Sequence, residues 1–271
     1  MDWRVQHQVI DNFGASDCWR MQRLGGWSLE NRNRIADLLF SRTDGIGLSC
    51  WRFNLGAGKD PGNIGNLTRT AETFEVAEGQ YDWSRQASEQ WFLGAAKARG
   101  VEQFVAFVNS PPARMTRNGL SHCSPGLGTT NLKEGYEGQF ARYLADILKH
   151  FRDHPDPRRR IAFDWVSPVN EPHWDWNGQS QEGNRASNTD IKAIVRTLGA
   201  ELRRQGLDTN VLLVESGHMA AMRVPLPYIS RRYGEKYGDY LEAFCRDPEV
   251  SQYLGGVIGW HSYLCDRVPD L

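Results

Sequence analysis

Short apolar segments alternate with amphipathic helical segments along this chain, and most of the apolar segments run into polar or acidic residues. This alternation constrains the fold more than any other feature. Gln8 to Ser16 reads as a first strand, and Ser28 caps a helix expected to reach about Arg42. Leu48 to Leu55 is a second strand. Its period of two puts Leu48, Cys50, Arg52 and Asn54 on one face and Trp51, Phe53 and Leu55 on the other. A loop rich in Gly, Asn and Thr runs from Gly56 to Gly79, and a helix from Trp83 to Arg99 stops at Gly100. Val101 to Val108 is a third strand, followed by a helix whose Tyr136, Phe140, Tyr143, Leu144, Ile147 and Phe151 share a face. Ile161 to Val166 is a fourth. Ser187-Asn188-Thr189-Asp190 has the form of a capping box ahead of a helix closed by Gly206. Val211 to Val214, a helix near Tyr240 to Cys245, and Val257 to Tyr263 complete the series.

Alternating βα units with nearly continuous apolar strands specify a parallel sheet covered by helices. Two architectures place ligands at the carboxyl ends of such strands. An open doubly wound sheet usually carries a glycine-rich phosphate loop after its first strand. Here that position reads Phe13-Gly14-Ala15-Ser16. The (β/α)8 barrel is therefore expected, with the strand-end polar residues converging on one mouth. Six strands are recognisable where a closed barrel has eight, so the expectation is one barrel domain over residues 1–271, incomplete at its C-terminus.

The fourth strand carries the chemistry. It runs directly into Val166-Ser167-Pro168-Val169-Asn170-Glu171-Pro172, with Trp174 and Trp176 just beyond. A carboxyl group at a strand end can protonate a glycosidic oxygen, and neighbouring indoles can stack on sugar rings. Asn170 is positioned beside Glu171 to bond a sugar 2-hydroxyl, or else caps a turn. Arg52, on an apolar strand, requires a carboxylate partner, and that partner decides whether its role is catalytic or structural. Glu215 is another strand-end glutamate. His261 and Tyr263 share one strand face. Asp17 and Asp175 read as loop polar groups.

Composition narrows the partners. The formal net charge is −1, which disfavours nucleic acid and anionic membranes. The basic run Arg158-Arg159-Arg160 reads as a solvated loop. No apolar stretch approaches the roughly 18 residues that span a bilayer. Met1 to His7 lacks the apolar core of a signal peptide. Ten tryptophans with balanced charge suit a carbohydrate ligand. The five cysteines, Cys18, Cys50, Cys123, Cys245 and Cys265, are widely spaced without a CxxC, so neither a zinc site nor a redox motif is expected. Cys50 reads as a core residue, and a Cys18–Cys50 disulfide stays open. No metal-ligand spacing or cofactor motif occurs.

Taken together, Asp11-Asn12-Phe13-Gly14-Ala15-Ser16-Asp17, Trp51-Arg52-Phe53-Asn54-Leu55-Gly56, Ser167-Pro168-Val169-Asn170-Glu171-Pro172, Glu215-Ser216-Gly217 and Trp260-His261-Ser262-Tyr263 resemble glycoside hydrolase family 30, and most of all its endo-β-1,6-galactanase branch. The resemblance implies a secreted or periplasmic retaining glycosidase on a β-linked polysaccharide, most closely a β-1,6-galactan, with xylan and β-glucan as neighbouring substrates. It implies that Glu171 is the acid/base, with Arg52, Asn54, Asn170, Trp174, Glu215, His261 and Tyr263 about the substrate. The family's nucleophile, a glutamate on the seventh strand, has no counterpart, nor does the appended β-sandwich. Glu215 then reads as site-lining, with the nucleophile role as its alternative. The competing readings for the chain are a non-catalytic carbohydrate-binding remnant and a truncated coding product.

Overall fold

The computed structural model describes residues 9–59, 64–177 and 180–263. Residues 1–7, Gln8 at the start of the first expected strand, and Cys265 lie outside that description. In chain order the elements begin with β1 (Gly14–Ser16), α1 (Met21–Leu24), α2 (Leu29–Phe40) and β2 (Cys50–Asn54). A hairpin follows, made of β3 (Glu75–Ala77) and β4 (Gln80–Tyr81). Next come α3 (Ala87–Ala98), β5 (Gln103–Phe107), α4 (Glu137–Arg152) and β6 (Trp165–Ser167). The last part holds α5 (Asn188–Arg204), β7 (Asn210–Val211), β8 (Val214–Ser216), α6 (Ala220–Arg223), α7 (Pro227–Tyr233), α8 (Pro248–Ser251) and β9 (Gly259–Trp260).

Strands β1-β2-β5-β6-β7 form one sheet in that order, parallel throughout. The parallel pair β8–β9 continues the progression. Strands β7 and β8 are two halves of the single strand expected from Val211 to Val214. Asn210 N donates to Asp164 O and Leu212 N to Val166 O, both at 2.9 Å, while Val211 N, on the opposite edge, donates to Tyr253 O at 2.8 Å. The regular strands are shorter than the apolar runs that predict them. Only Gly14–Ser16, Trp165–Ser167 and Gly259–Trp260 are paired within the first, fourth and sixth runs. Among the described residues β1 and β9 each have one strand neighbour.

The helices cover one face because their apolar stripes have nowhere else to go. Helix α4 buries Phe140, Tyr143, Leu144, Ile147 and Phe151, and α5 buries Ile191, Ile194, Val195, Leu198 and Leu202. The expected alternation of β2 is visible in its packing. Trp51 meets Phe40 edge-on at 4.9 Å, and Phe53 meets Phe151 edge-on at 5.6 Å. The opposite face carries Arg52, and Cys50 is half-buried there rather than in the core. Both expected N-caps form. Ser28 Oγ accepts from Asn31 N at 3.2 Å, and Ser187 and Asp190 close the reciprocal box that starts α5. The segment expected to be helical near Tyr240–Cys245 is a wide π-type turn at Leu241–Cys245. Among the described residues no helix is long and apolar enough to cross a membrane.

Candidate functional site

The strand ends meet at one guanidinium. Arg52, in the middle of β2, sends Nε to Glu215 Oε1 at 2.7 Å and Nη2 to Asn170 Oδ1 at 2.9 Å. Its Nη1 reaches Ser16 Oγ at 3.4 Å, and the planar group lies over the Phe107 ring at 3.1 Å from the centroid. A fixed fork of donors is the side chain that can serve several strand ends at once. Arg52 thereby links β1, β2, β5, β8 and the turn after β6. The Glu215 side chain is 6% exposed, and its second oxygen, Oε2, is buried without a hydrogen-bond partner. The partner that the sequence left open for Arg52 is therefore Glu215.

Glu171 stands beside this cluster. Its backbone N donates to Glu215 O at 3.0 Å, and its Oε1 lies 2.7 Å from His261 Nδ1. Glu171 is buried, so the imidazole takes the place of lost water. Both glutamates have left-handed backbone, with φ of 49° at Glu171 and 47° at Glu215. Few residues other than glycine adopt that conformation, and it turns each side chain out of the strand direction. Past Glu171 the chain folds back on itself. Trp174 N donates to Glu171 O at 3.2 Å, and the Trp176 indole N–H donates to the same oxygen at 3.0 Å.

The structure thus brings Arg52, Asn170, Glu171, Glu215 and His261 into one contiguous network. Tyr263 joins it through its ring, edge-on to His261 at 5.5 Å. Trp174 stands within the turn and is partly open to solvent. Asn54 is held apart. It is buried, its Oδ1 accepts from Asn109 Nδ2 at 3.2 Å, and its backbone N donates to Asp17 Oδ1 at 3.0 Å. Asp17, read as a loop polar group, is a buried structural acceptor, and burial with the nearby Glu89 charge raises its carboxyl well above the usual range. Asp175 pairs with Arg185 at 3.3 Å. Among the described residues Cys18, Cys50, Cys123 and Cys245 are free thiols, and no cluster of three or more His, Cys, Asp or Glu side chains is placed to hold a metal ion.

Sequence reasoning missed Glu182. This fully buried carboxylate accepts from Thr70 Oγ1 at 2.6 Å, Ala71 N at 2.9 Å and Ala57 N at 3.3 Å, tying the loop after β6 to the loop after β2. Burial pushes its carboxyl from 4.5 up to about 7, against the hydrogen bonds that hold it down. Between those values the folded chain binds the extra proton, so stability falls as pH rises from about 4.5 to 7 and levels off above. Glu182→Gln is expected to flatten this part of the pH profile, measured as urea midpoints from pH 4.5 to 8. A slope of unchanged size in the variant would assign the effect to another group.

Known proteins share this arrangement of elements. The O-glycosyl hydrolase family 30 profile matches residues 1–264. An endo-beta-1,6-galactanase of Hypocrea rufa is 27% identical over 229 residues, which cover 74% of this chain and 45% of that protein. The crystal structure of a conserved exported protein from Bacteroides fragilis superposes with a TM-score of 0.85 at 30% identity, over 97% of this chain and 55% of that one. The endo-beta1,6-glucanase BT3312 shares the fold, with a TM-score of 0.68 at 20% identity over 97% of this chain and 54% of its own. The chain spans about half the length of these relatives. Its parallel α/β fold is that of the family 30 catalytic domains, and the match runs through every strand end that builds the network. The chain belongs to O-glycosyl hydrolase family 30.

Proposed function

We propose that this chain carries the acid/base half of a retaining glycosidase that cleaves β-linked polysaccharide, with β-1,6-galactan as substrate. One observation carries the reading. Glu171 sits at a strand end, buried, 2.7 Å from His261 and next to the Arg52–Asn170–Glu215 cluster. A carboxyl group so placed can protonate a leaving glycosidic oxygen and then, as the carboxylate, take a proton from water. His261 orients it, and Tyr263 shields the outer edge of that imidazole. Asn170, fixed by Arg52, offers its amide N–H to a sugar 2-hydroxyl, a contact that strengthens in the transition state. Trp174 supplies an aromatic surface. Asn54 supports the site from below through Asn109 and Asp17.

Double displacement needs a second carboxylate about 5–5.5 Å from the first. The family resemblance assigns that role to a glutamate on a seventh strand. Glu215, at the end of β8, is a second strand-end glutamate beside Glu171, and Arg52 already engages it. The substrate is a polysaccharide or oligosaccharide, and the carboxylate chemistry itself calls for no cofactor. A secreted location is in keeping with the similarity to a conserved exported protein.

The test is release of reducing ends from β-1,6-galactan, β-1,6-glucan and xylan, by the 271 residues and by a chain extended to the length of its relatives. Galactan cleavage by the longer chain, with little or none by the shorter, is the expected outcome. A clear preference for glucan or xylan replaces the substrate. Robust turnover by the 271 residues alone makes Glu215 the nucleophile, and trapping with a fluorosugar followed by peptide mapping would locate the label there.

A further inference from the structure

Helix α3 contains a glycine that its own packing does not explain. Gly94 lies in the interior of Ala87–Ala98. Glycine is the poorest helix former after proline, so a helix usually keeps one where a neighbour needs the room. Gly199 in α5 is such a case, because a Cβ there would overlap the Tyr253 ring. At Gly94 nothing lies within 4 Å of the place a Cβ would take, and the backbone is not left-handed. The open space belongs to a groove of about 630 Å³, inside the range of roughly 300–1,000 Å³ for small-molecule sites. The groove runs along α3 towards Arg99 and Ile161, which precede β5 and β6. Glu171 lies past the carboxyl end of β6, so the groove is separate from the Arg52 network.

Two indoles border it. Trp83 is stacked with Tyr81 at 4.7 Å and with His150 at 3.7 Å. Trp91 meets Phe92 edge-on at 4.9 Å, and Arg32 lies over its ring at 4.8 Å. Both rings are thus held in place before any ligand arrives, and fixed aromatic surface suits the C–H faces of sugar rings. The charge of the rim narrows the sugar. Among the described residues Arg99, Arg158 and Arg159 border the groove against one carboxylate, Asp156. Asp156 is spent on Arg158 at 2.8 Å, and Arg99 is paired with Asp37 at 2.7 Å. Arg159 has no carboxylate partner among the described residues, and its Nη2 donates to Gln90 Oε1 on α3 at 3.2 Å. A guanidinium engaged through one nitrogen keeps its other donors for a carboxylate. The basic run before β6 is therefore solvated at Arg158, as its sequence suggests, while Arg159 serves the groove.

We propose that this groove is a second carbohydrate site, apart from the catalytic end, that takes an oligosaccharide bearing a uronate. The carboxylate meets Arg159, and the sugar ring lies against Trp91 in the space over Gly94. The assignment uses none of the strand-end residues and is independent of the glycosidase reading. A polysaccharide held there is kept close to Glu171 without occupying it.

The experiment is calorimetric titration of the chain with tetragalacturonate, β-1,6-galactotetraose and inorganic phosphate at one ionic strength, with thermal melts to monitor folding. Tetragalacturonate is expected to bind about tenfold more tightly than the neutral tetramer, the scale of one charge-assisted contact. Arg159→Met should remove that advantage. Gly94→Leu puts a good helix former into the open space, so it should abolish tetragalacturonate binding without lowering Tm. Gly94→Ala is expected to raise Tm by about 2–4 °C, whereas a fall would mean that packing does require the glycine and would count against the site. Glu171→Gln should leave tetragalacturonate affinity unchanged, and a loss there would move the binding to the catalytic end and overturn the proposal. Affinity unchanged in both Gly94→Leu and Arg159→Met overturns it, as does failure of the unaltered chain to bind tetragalacturonate at millimolar concentration. Phosphate binding as tightly as the tetramer reduces the groove to an anion patch, and equal binding of the neutral tetramer, indifferent to Arg159→Met, refutes the uronate.

Discussion

Glu171→Gln is expected to lower kcat/KM on β-1,6-galacto-oligosaccharides by about two to four orders of magnitude in a chain that turns them over, the range for loss of a positioned acid. The amide keeps the shape of the side chain and can still meet His261, but it has no proton to give to a departing sugar oxygen. Substrates with nitrophenyl-type leaving groups need no such proton, so their first step should be nearly spared. Their second step, attack of water on the glycosyl-enzyme, still needs the base, so the intermediate should accumulate as a burst. Added azide should restore turnover, because an anionic nucleophile needs no base. Equal losses on both substrate classes, with no burst, would remove Glu171 from the acid/base role.

The second large effect is on stability. Arg52→Met is expected to destabilise the fold by about 3–5 kcal/mol, the cost of leaving a buried charge without its partner. The Glu215 side chain is 6% exposed and its Oε2 has no hydrogen-bond partner, so the guanidinium is its principal compensation. The same substitution removes the donor that fixes Asn170, so the loss extends to the turn that carries Glu171. A fall in Tm of about 10 °C is the scale expected for a chain of this size. Adding Glu215→Leu should recover much of it, because a buried pair replaced on both sides leaves no orphan charge. If Arg52→Met melts within about 2 °C of the parent, the pair contributes far less than a buried pair should.

Where a signal was local, the chain disclosed it. The capping box at Ser187 and Asp190, the alternation of β2 and the apolar faces of α4 and α5 depend on neighbours a few residues apart, and each is present. Glu171 was legible for a similar reason, since a strand pattern running into Asn-Glu-Pro fixes its place in any parallel sheet. The partner of Arg52 was not, because it lies 163 residues away and is set by strand order. Glu182 was less legible still. It sits in a loop without periodicity, and its Thr70 partner is 112 residues distant. The β3–β4 hairpin escaped because β3 lies inside, and β4 just past, a stretch whose Gly, Asn and Thr content reads as loop.

The left-handed backbone at Glu171 and Glu215 has a consequence for how such a chain can change over generations. Each position costs on the order of 1 kcal/mol or more relative to a residue at ease in that conformation. Glycine or asparagine at either site would relieve the cost and remove a buried carboxylate. At 215 that relief is set against the loss of the pair with Arg52, at 171 only against the contact with His261. A lineage released from the demands of chemistry would therefore be expected to lose the glutamate at 171 before the one at 215.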